Sequence, residues 1–513
     1  MSRTARATTT AIFSYTRFAV SIVTGLWLVP FTLHHVGARL YGFWLASGEL
    51  LAYAALTEFG VLVTVPWMIA EADGAGDRER MRSIVTTGVA AAAISATGYA
   101  VIVTGLIFAL PFAVHLGPNE RNAVLGPVLI VAAAGIFGHP LRVFYSVLMG
   151  LQDVRYNGVM DLVWLALGVA GTAGMLMAGF GLYAIALGTV LPQLLAGLVN
   201  LVRVGSIAPD LLRHWRMPPW AAVRALFKEG TGAWIGGWGW RLISATDGLV
   251  LAMLGQPAAV TALACTSKLS AALVQLSWVP CDSGLIGLAN LAGERQEPRL
   301  RETIVVMVRV YLALAGAAAC IVLAVNPAFV SRWVGGEQFA GGKANALLAV
   351  VAIAMTFAHA LAVVASVLGQ RMQIGLATFG SGVVHIAVAV LLGWQFGILG
   401  IILAGVVSHG IVFPALAWRP FAVAARMPET ALLGEVIRPW AIRFVPLAAV
   451  AIAIQQVIGV PSVAVTIALG GAIGAAAMWH MRPLYLTFGP VRAMYERLFK
   501  WLLPRRPQGA DAA

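Results

Sequence analysis

Apolar runs of about 20 residues recur from one end of the chain to the other, and an α-helix of that length crosses a hydrocarbon core of about 30 Å. The runs are continuous, unlike the alternating strands of a transmembrane barrel. The sequence therefore predicts an all-α, polytopic membrane protein with 14 transmembrane helices. The predicted spans lie near residues 11–33, 42–69, 84–111, 124–149, 158–178, 182–203, 230–254, 258–286, 303–325, 344–369, 373–393, 397–417, 441–459 and 461–480.

The composition supports this class. Of the 513 residues, 60% are hydrophobic and only 11% are charged, which is too little charge to cover the surface of a soluble protein of this size. The formal net charge of +13 is explained by cationic loops that set the topology. We therefore expect no nucleic-acid partner.

Basic residues are distributed unevenly between the two predicted membrane faces. Most lie on the face that holds both termini, and only Arg39, Arg121, Arg332 and Lys343 lie in loops on the other face. Because cationic loops stay in the cytoplasm, both termini are predicted to be cytoplasmic. The basic N-terminus has no small-residue cleavage site, so we interpret it as the start of a retained first span.

The chain also contains an internal repeat. The segment IAEADGAGDRERMRSIV from Ile69 aligns without a gap with LANLAGERQEPRLRETI from Leu288. Two further pairs follow in order, HPLRVFYSVL with HALAVVASVL and FGLYAIALGTV with FGILGIILAGV. The offsets of 219, 220 and 216 residues indicate six spans repeated in the same orientation. Parallel repeats of this kind predict two bundles with the substrate at their interface.

The predicted domain organisation follows from this repeat. We expect two pseudo-symmetric six-helix lobes and two extra C-terminal helices, and no connection is long enough for a soluble domain. The predicted bounds are 1–203 for the N-terminal lobe, 204–229 for a cytoplasmic linker, 230–417 for the C-terminal lobe, 418–440 for a second linker, 441–480 for spans 13 and 14, and 481–513 for a cytoplasmic tail.

The segment HHVGARLYGFWLASGELLAYAALTEFGVLVTVPWMIAEADGAGD, residues 34–77, resembles the first hairpin and following loop of Wzx-type polysaccharide flippases. Those flippases belong to the multidrug/oligosaccharidyl-lipid/polysaccharide (MOP) superfamily. The resemblance extends over essentially the whole chain in span count, repeat and loop pattern. The matching features are Gly37, Tyr41-Gly42-Phe43-Trp44, Glu58-Phe59-Gly60, Ile69-Ala70-Glu71, the turn GLQDVRYN at 150–157, and Pro280.

This resemblance implies a transporter that works by alternating access in the bacterial inner membrane. The implied substrate is an oligosaccharide linked to undecaprenyl diphosphate, as used in O-antigen or exopolysaccharide biosynthesis. Membrane lipids and a polysaccharide polymerase are the implied partners. We expect neither a catalytic residue nor a cofactor.

Span seven carries the pattern that best fits such a substrate. An ionisable side chain within a span costs about 2.5 kcal/mol or more, so it faces protein, water or a partner. Trp234, Trp238 and Arg241 follow i, i+4, i+7 spacing and share one helical face. Indole rings stack on sugars and a guanidinium binds phosphate oxygens. This face is predicted to bind a sugar diphosphate, unless the indoles are interfacial anchors and Arg241 closes a structural ion pair.

Three other cations lie within predicted spans and are candidate substrate-binding residues: Lys268, Arg17 and Arg142. Arg17 and Glu58 are predicted at similar depth, so an ion pair between them is the default interpretation. Its functional alternative is a gate or a cationic entrance to the cavity. Arg142 can instead extend to the cytoplasmic surface.

Three carboxylates are candidates for ion coupling or gating: Asp247, Glu49 and Glu58. Glu49 lies on the opposite face of span two from Glu58 and has no partner nearby in sequence. Asp247 points away from Arg241, so these two do not pair within their helix. A carboxylate without a partner in the membrane is a candidate carrier of a proton or a sodium ion.

The remaining polar residues of the spans predict no metal site and no nucleophile. The histidines and cysteines are interpreted as core residues: His139, His359, His385, His409, Cys265, Cys281 and Cys320.

The leading hypothesis is a flippase with a cationic central cavity. One alternative is a cation-coupled multidrug or metabolite antiporter of the same superfamily, which predicts an acidic or apolar cavity. Another is a membrane polysaccharide polymerase or ligase. The largest predicted periplasmic loop, about 326–343, is too short and too poor in acids and bases for that chemistry.

Overall fold

The computed structural model describes residues 3–213, 216–282, 285, 288, 291–292, 297–428, 430–459 and 462–486. These residues are helical almost throughout, which confirms the all-α class. The α-helices are α1 (Arg3–Val36), α2 (Ala38–Ala54), α3 (Val61–Gly74), α4 (Arg78–Ala113), α5 (Pro118–Gly150), α6 (Val154–Met177), α7 (Leu182–Ile207), α8 (Trp220–Ser244), α9 (Asp247–Met253), α10 (Pro257–Asp282), α11 (Glu297–Trp333), α12 (Gly342–Val367), α13 (Arg371–Phe396), α14 (Ile398–Val407), α15 (Phe413–Ala425), α16 (Arg438–Ile458) and α17 (Val463–Met481).

Within the described residues, 12 helical stretches are long and apolar enough to cross a membrane, two fewer than the 14 predicted. The difference lies in the predicted second and seventh spans, 42–69 and 230–254. The prediction of continuous helices there is wrong, because α2 is separated from α3 and α8 from α9. Hydropathy alone does not reveal such breaks, because the interrupted segments remain apolar.

The first break depends on a glycine. After a 3-10 turn at Ala55–Glu58, the backbone enters the left-handed region at Phe59 (φ 49°) and Gly60 (φ 72°). Only glycine adopts this conformation without steric cost. A Cβ at position 60 would also lie 2.6 Å from the carbonyl oxygen of Gly230. Gly60 therefore permits both the turn and the close approach of α8.

The second break is closed by backbone and hydroxyl groups at the end of α8. The N–H of Ala245 donates to the Arg241 carbonyl at 2.9 Å, and the Thr246 hydroxyl donates to the Leu242 carbonyl at 2.5 Å. The chain then restarts as α9 at Asp247. A broken helix places two polar helix ends inside a membrane segment, as in transporters that bind ions or substrates there.

The chain forms two compact units. The first contains the described residues up to Thr266, together with Trp333–Ala340 and Gly375–Ser408. The second contains Ser267–Arg332, Gly341–Ile374 and the described residues from His409 onward. The lobe boundaries derived from the repeat stay a prediction.

Each unit has its own apolar core. The first packs α3 against α4 and α5, and the second packs α11 against α12 and α16. The residues of the first core include Val65, Ile69, Val85, Val143 and Val147, and those of the second include Cys320, Val322, Ala324, Ala349 and Ala451. Cys265, Cys281 and Cys320 are all buried, as the interpretation of core cysteines required.

Some predicted segments lie outside the described residues. They are the tail from residue 487 onward and, in the second copy of the repeated loop, residues 289–290 and 293–296.

Candidate functional site

The N-terminus of α9 is bound by a carboxylate from α2. Glu49 accepts a hydrogen bond from the backbone N–H of Leu249 at 2.7 Å. A Cβ at Gly248 would lie 2.7 Å from Glu49 Oε1, so glycine allows this approach. Unpaired N–H groups at a helix N-terminus carry partial positive charge and stabilise an anion. Glu49, which lacked a sequence-local partner, is therefore held by a helix end.

A tyrosine from α2 reaches the same break. The Tyr53 hydroxyl lies 2.5 Å from the Thr246 hydroxyl oxygen. Because the Thr246 hydroxyl already donates to the Leu242 carbonyl, Tyr53 is the donor. The break between α8 and α9 is thus tied to α2 by two polar contacts, through Glu49 and Tyr53.

Asp247, the first residue of α9, contacts a buried histidine from α13. His385 Nε2 lies 2.9 Å from Asp247 Oδ1, and the His385 side chain is 1% exposed. On the other side of the ring, Nδ1 lies 3.1 Å from the Ser408 hydroxyl, which is within reach of the Gly405 carbonyl at 3.2 Å. The imidazolium form can donate to Asp247 and Ser408 together, whereas a neutral ring donates to only one of them.

These contacts define the α9 cluster: Glu49, Tyr53, Thr246, Asp247 and His385. Its members come from three separate parts of the sequence and all lie in the first unit. It brings together two of the carboxylates predicted for ion coupling. Sequence reasoning had interpreted His385 as a core residue, although the rule that marks ionisable residues in spans also applied to it.

Arg241 lies in the last turn of α8, just before the break. A cation is favoured there by the helix dipole, and the side chain is exposed. No acidic side chain in the described part of the chain forms an ion pair with it. The alternative of a structural ion pair is therefore not supported by the described residues.

The predicted tryptophans form an aromatic group on α8 with Phe59. The rings of Phe59 and Trp234 are stacked with centroids 4.9 Å apart, and Trp238 meets Trp234 edge-on at 6.0 Å. Trp234 Nε1 donates to the Leu56 carbonyl at 2.6 Å. Trp238 Nε1 is buried and finds no acceptor among the described residues. A buried donor without an acceptor is costly in the protein alone and suits a ligand that supplies one.

The expected ion pair between Arg17 and Glu58 is wrong. Arg17 binds Asp161 of α6 at 2.9 Å, and Glu58 binds Arg142 of α5. The prediction rested on similar depth, and depth does not say which helices are neighbours. Both guanidinium groups are more than half exposed.

Each unit carries a histidine beside a carboxylate and a tyrosine, and the two histidines are repeat-related. In the first unit, His139 Nε2 lies 3.4 Å from Glu58 and its ring is 4.9 Å from that of Tyr99. In the second, His359 Nε2 lies closer to its carboxylate, 3.0 Å from Asp282. Only the histidines correspond in the repeat, because Glu58 and Tyr99 do not align with Asp282 and Tyr311 at its offset of 220 residues.

In the second unit, Asp282 accepts a hydrogen bond from the Tyr311 hydroxyl at 2.5 Å and lies 3.0 Å from His359 Nε2. The indole of Trp278 stacks on the His359 ring at 4.0 Å. Sequence reasoning missed Asp282 and Tyr311, which fall at a span end and in an apolar run. Lys268, in α10 of the same unit, is exposed and forms no ion pair with a described acidic residue.

No group of three His, Cys, Asp or Glu side chains in the described ranges is placed to hold a metal ion.

Solved structures of membrane transporters share this architecture. An inward-facing multidrug resistance MATE transporter of the MOP superfamily matches with a TM-score of 0.59 and 14% identity, over 80% of this chain and 95% of that chain. The lipid II flippase MurJ, in an inward closed conformation, matches with a TM-score of 0.59 and 13% identity, over 93% and 99%. The Vibrio cholerae MATE transporter VcmN matches with a TM-score of 0.55 and 15% identity, over 82% and 98%.

The fold is that of the MATE and MurJ transporters. It is therefore the fold of a multi-pass membrane protein, as the sequence predicted, and these structural neighbours are transporters and a flippase. No protein-family model matches the sequence, and no curated protein matches it. At 13–15% identity the likeness concerns the fold, so substrate and mechanism have to be argued from the residues.

Proposed function

We propose that the protein is a flippase that moves oligosaccharides linked to undecaprenyl diphosphate from the cytoplasmic to the periplasmic leaflet of the bacterial inner membrane. It works by alternating access, with both termini in the cytoplasm. The observation that carries this proposal is Arg241, an exposed cation at the end of a broken helix in a transporter fold.

Arg241 is suited to the diphosphate. An arginine without an acidic partner costs about 2.5 to 3.5 kcal/mol near the centre of a bilayer, so its side chain is stable only beside water or an anion. A guanidinium binds two phosphate oxygens at once, which a drug cation cannot offer. Lys268 adds an exposed positive charge in another span, whereas Arg142 and Arg17 are paired with Glu58 and Asp161.

The aromatic group on α8 is suited to the sugar. Trp238 lies one helical turn before Arg241, and its buried N–H lacks an acceptor in the described residues. A sugar hydroxyl or a phosphate oxygen supplies that acceptor. An apolar drug leaves the N–H without one, and such an unpaired donor costs about 1 to 3 kcal/mol.

The extent of the structural match also favours a flippase over a drug exporter. MurJ matches 93% of this chain, against 80% for the MATE transporter with the same TM-score. MurJ is named a lipid II flippase, so its substrate is a lipid. We propose a lipid-linked substrate for this protein as well, but not lipid II itself.

Transport is coupled to protons at the α9 cluster. His385 is buried and contacts the partly exposed Asp247 at the break between α8 and α9, and Asp247 lies only six residues from Arg241. Gain or loss of one proton changes the charge beside Asp247 and turns Nδ1 of His385 from a donor to the Ser408 hydroxyl into an acceptor from it. That change acts on the start of α9, and so on the break beside the proposed substrate site.

Reconstitution in vesicles tests the function. Protein variants are incorporated with a fluorescent undecaprenyl-diphosphate oligosaccharide, and the labelled lipid that becomes accessible to a membrane-impermeant quencher or lectin is measured over time. We expect Arg241→Ala to slow translocation at least about ten-fold, the loss of one charge-assisted interaction. Arg241→Lys keeps the charge and loses less activity. Arg121→Ala, which changes an exposed arginine in the first turn of α5 on the predicted periplasmic face, is the matched control.

The same vesicles separate the competing functions. A drug antiporter would carry a lipophilic cation such as ethidium and leave the labelled lipid where it is. A polymerase or ligase would change the mass of the oligosaccharide. Translocation of unmodified substrate that is equal in wild type and Arg241→Ala would contradict the proposed site while leaving the flippase function standing.

A further inference from the structure

The two C-terminal membrane helices form a basic cleft at one end. α16 contributes Arg443, α17 contributes Trp479 and His480, and Arg482 follows directly after α17. The cleft has a volume of about 570 Å³, and no described residue that lines it is acidic. All of these residues belong to the second unit.

Arg443 and Arg482 have no acidic partner among the described residues. The Arg443 guanidinium donates to the backbone carbonyl of Pro439 at 2.9 Å, which leaves its charge uncompensated. The Arg482 guanidinium lies 4.0 Å above the Trp479 ring, a contact that holds a cation in place without neutralising it. Both groups therefore keep donors for an anion.

A third arginine adds to the positive charge next to the cleft. Arg309 of α11 donates to the backbone carbonyl of Glu435 at 2.8 Å and is close enough to Arg443 for their charges to interact. The Glu435 carboxylate itself binds Arg301 at 2.5 Å. The local charge balance is positive, and an anionic ligand would relieve the repulsion between the arginines.

The surfaces beside the cleft are apolar and exposed. Ile442, which lines it, is 64% exposed, and so is Val445 on the next part of α16. The spans that contain α16 and α17 are only 11% and 17% buried inside the protein. In a bilayer these faces contact lipid chains.

We propose that this cleft binds the phosphate group of a membrane lipid, whose chains lie along the exposed faces of α16 and α17. Arginines bind phosphate oxygens with matching geometry, and basic pockets between transmembrane helices on the cytoplasmic side hold anionic head groups. The sequence places both arginines on that side. Trp479 lies at the end of its helix, and indole rings prefer the level of the lipid head groups. The proposal does not depend on which substrate is transported.

Native mass spectrometry of the purified, delipidated full-length protein tests this. Three probes separate the parts of the ligand: dioleoylphosphatidylglycerol, dioleoylglycerol, which has the same chains without phosphate, and glycerol 3-phosphate, which has no chains. Two variants are compared with the wild type, a double Arg443→Gln, Arg482→Gln variant and Arg438→Gln. Arg438 is an exposed arginine of the same helix that does not line the cleft.

We expect phosphatidylglycerol to bind the wild type and Arg438→Gln alike, and the double variant about ten-fold or more weakly, as the loss of charge-assisted hydrogen bonds predicts. Dioleoylglycerol and glycerol 3-phosphate should bind much more weakly than phosphatidylglycerol. Equal retention of phosphatidylglycerol by the double variant would overturn the proposal. Binding of dioleoylglycerol as strong as that of phosphatidylglycerol would also overturn it, because contact with the chains alone would then explain binding. Equally strong binding of glycerol 3-phosphate would overturn it too, because the cleft would then be a site for a soluble anion.

A double Arg443→Lys, Arg482→Lys variant covers the case in which the glutamine variant does not fold. It keeps both charges, so it should retain phosphatidylglycerol within a few-fold of the wild type. If it loses the lipid while its thermal unfolding is unchanged, the planar guanidinium groups bind the phosphate directly. If it retains the lipid but the three probes bind the wild type equally, the proposal is wrong.

Discussion

The Glu49 carboxylate of α2 accepts a hydrogen bond from the backbone N–H of Leu249 at 2.7 Å, across 200 residues of sequence. The carboxylate lies at the N-terminus of α9, a helix that begins inside the predicted seventh span. The contact places a carboxylate where the helix dipole stabilises it. It also joins the break between α8 and α9 to α2.

Glu49→Ala should therefore destabilise the protein. Removing this acceptor from a helix N-terminus leaves the Leu249 N–H unpaired, and we expect the free energy of unfolding to fall by about 1 to 3 kcal/mol. Glu49→Gln keeps an acceptor oxygen and should cost less. Thermal unfolding in detergent measures both. Glu79→Gln, at the solvent-exposed start of α4, serves as control, and equal stability of the Ala and Gln variants would contradict the role of this hydrogen bond.

The two indoles of α8 should respond differently to loss of their N–H. Trp234→Phe removes the donor to the Leu56 carbonyl and should lower the free energy of unfolding by about 0.5 to 1.5 kcal/mol. Trp238→Phe removes a donor without an acceptor in the described residues, so stability should hold or rise. Translocation should be slowed by Trp238→Phe. A variant that is destabilised and transports normally would mean that Trp238 is a packing residue.

Tyr311→Phe should destabilise the second unit. The hydroxyl donates to Asp282 at 2.5 Å from a ring that is fully buried, and its loss leaves the carboxylate short of one donor. We expect a cost of about 1 to 3 kcal/mol in the free energy of unfolding. Tyr145→Phe, whose hydroxyl contacts Asp161 at a longer 3.4 Å, should cost less. Chemical unfolding measures the loss in the free energy of unfolding for both variants, and the loss should be larger for Tyr311→Phe.

Gly60→Ala should be far more harmful than Gly37→Ala. Both glycines have positive φ, 72° and 81°, which costs an alanine about 1 to 2 kcal/mol. Only Gly60 also has a backbone oxygen 2.6 Å from the position of the new Cβ, whereas nothing lies within 4 Å at Gly37. The expression yield and the thermal unfolding of both variants are measured. Gly37→Ala reports backbone strain alone, and Gly60→Ala reports strain together with the clash. Equal losses would mean that α8 does not approach the first break this closely.

His385→Gln should remove the response of transport to a proton gradient. The titratable groups that face this histidine are Asp247 directly, with Glu49 and Tyr53 beyond it. Glutamine can still bind Asp247 and Ser408 but gains no proton near neutral pH. The wild type should translocate faster when the periplasmic side is acidified, and the variant should not. His409→Gln, a second buried histidine, is the control, and an unchanged response in His385→Gln would place the coupling group elsewhere.

Sequence reasoning singled out several charged residues that the structure brings into polar contacts, but few of their partners. Arg241, Glu49 and Asp247 stood out because charge in an apolar run is costly and therefore conspicuous. The partner of Glu49 is a backbone N–H at a helix end, and that of Asp247 is a histidine far away in sequence, while Arg241 forms no ion pair with a described acidic residue. Nothing in a linear pattern connects these groups, because their contacts arise from helix packing.

The sequence by itself determined the class of this protein, since the length and apolarity of its runs satisfy the bilayer regardless of how the helices are arranged. It also predicted the six-span repeat, in which His139 and His359 correspond; each of these histidines lies beside a carboxylate. Only the tertiary structure decided where spans two and seven break and which ions pair. Breaks and pairs depend on distances between helices, set by the packing of side chains from remote segments, which hydropathy and helical phase do not contain.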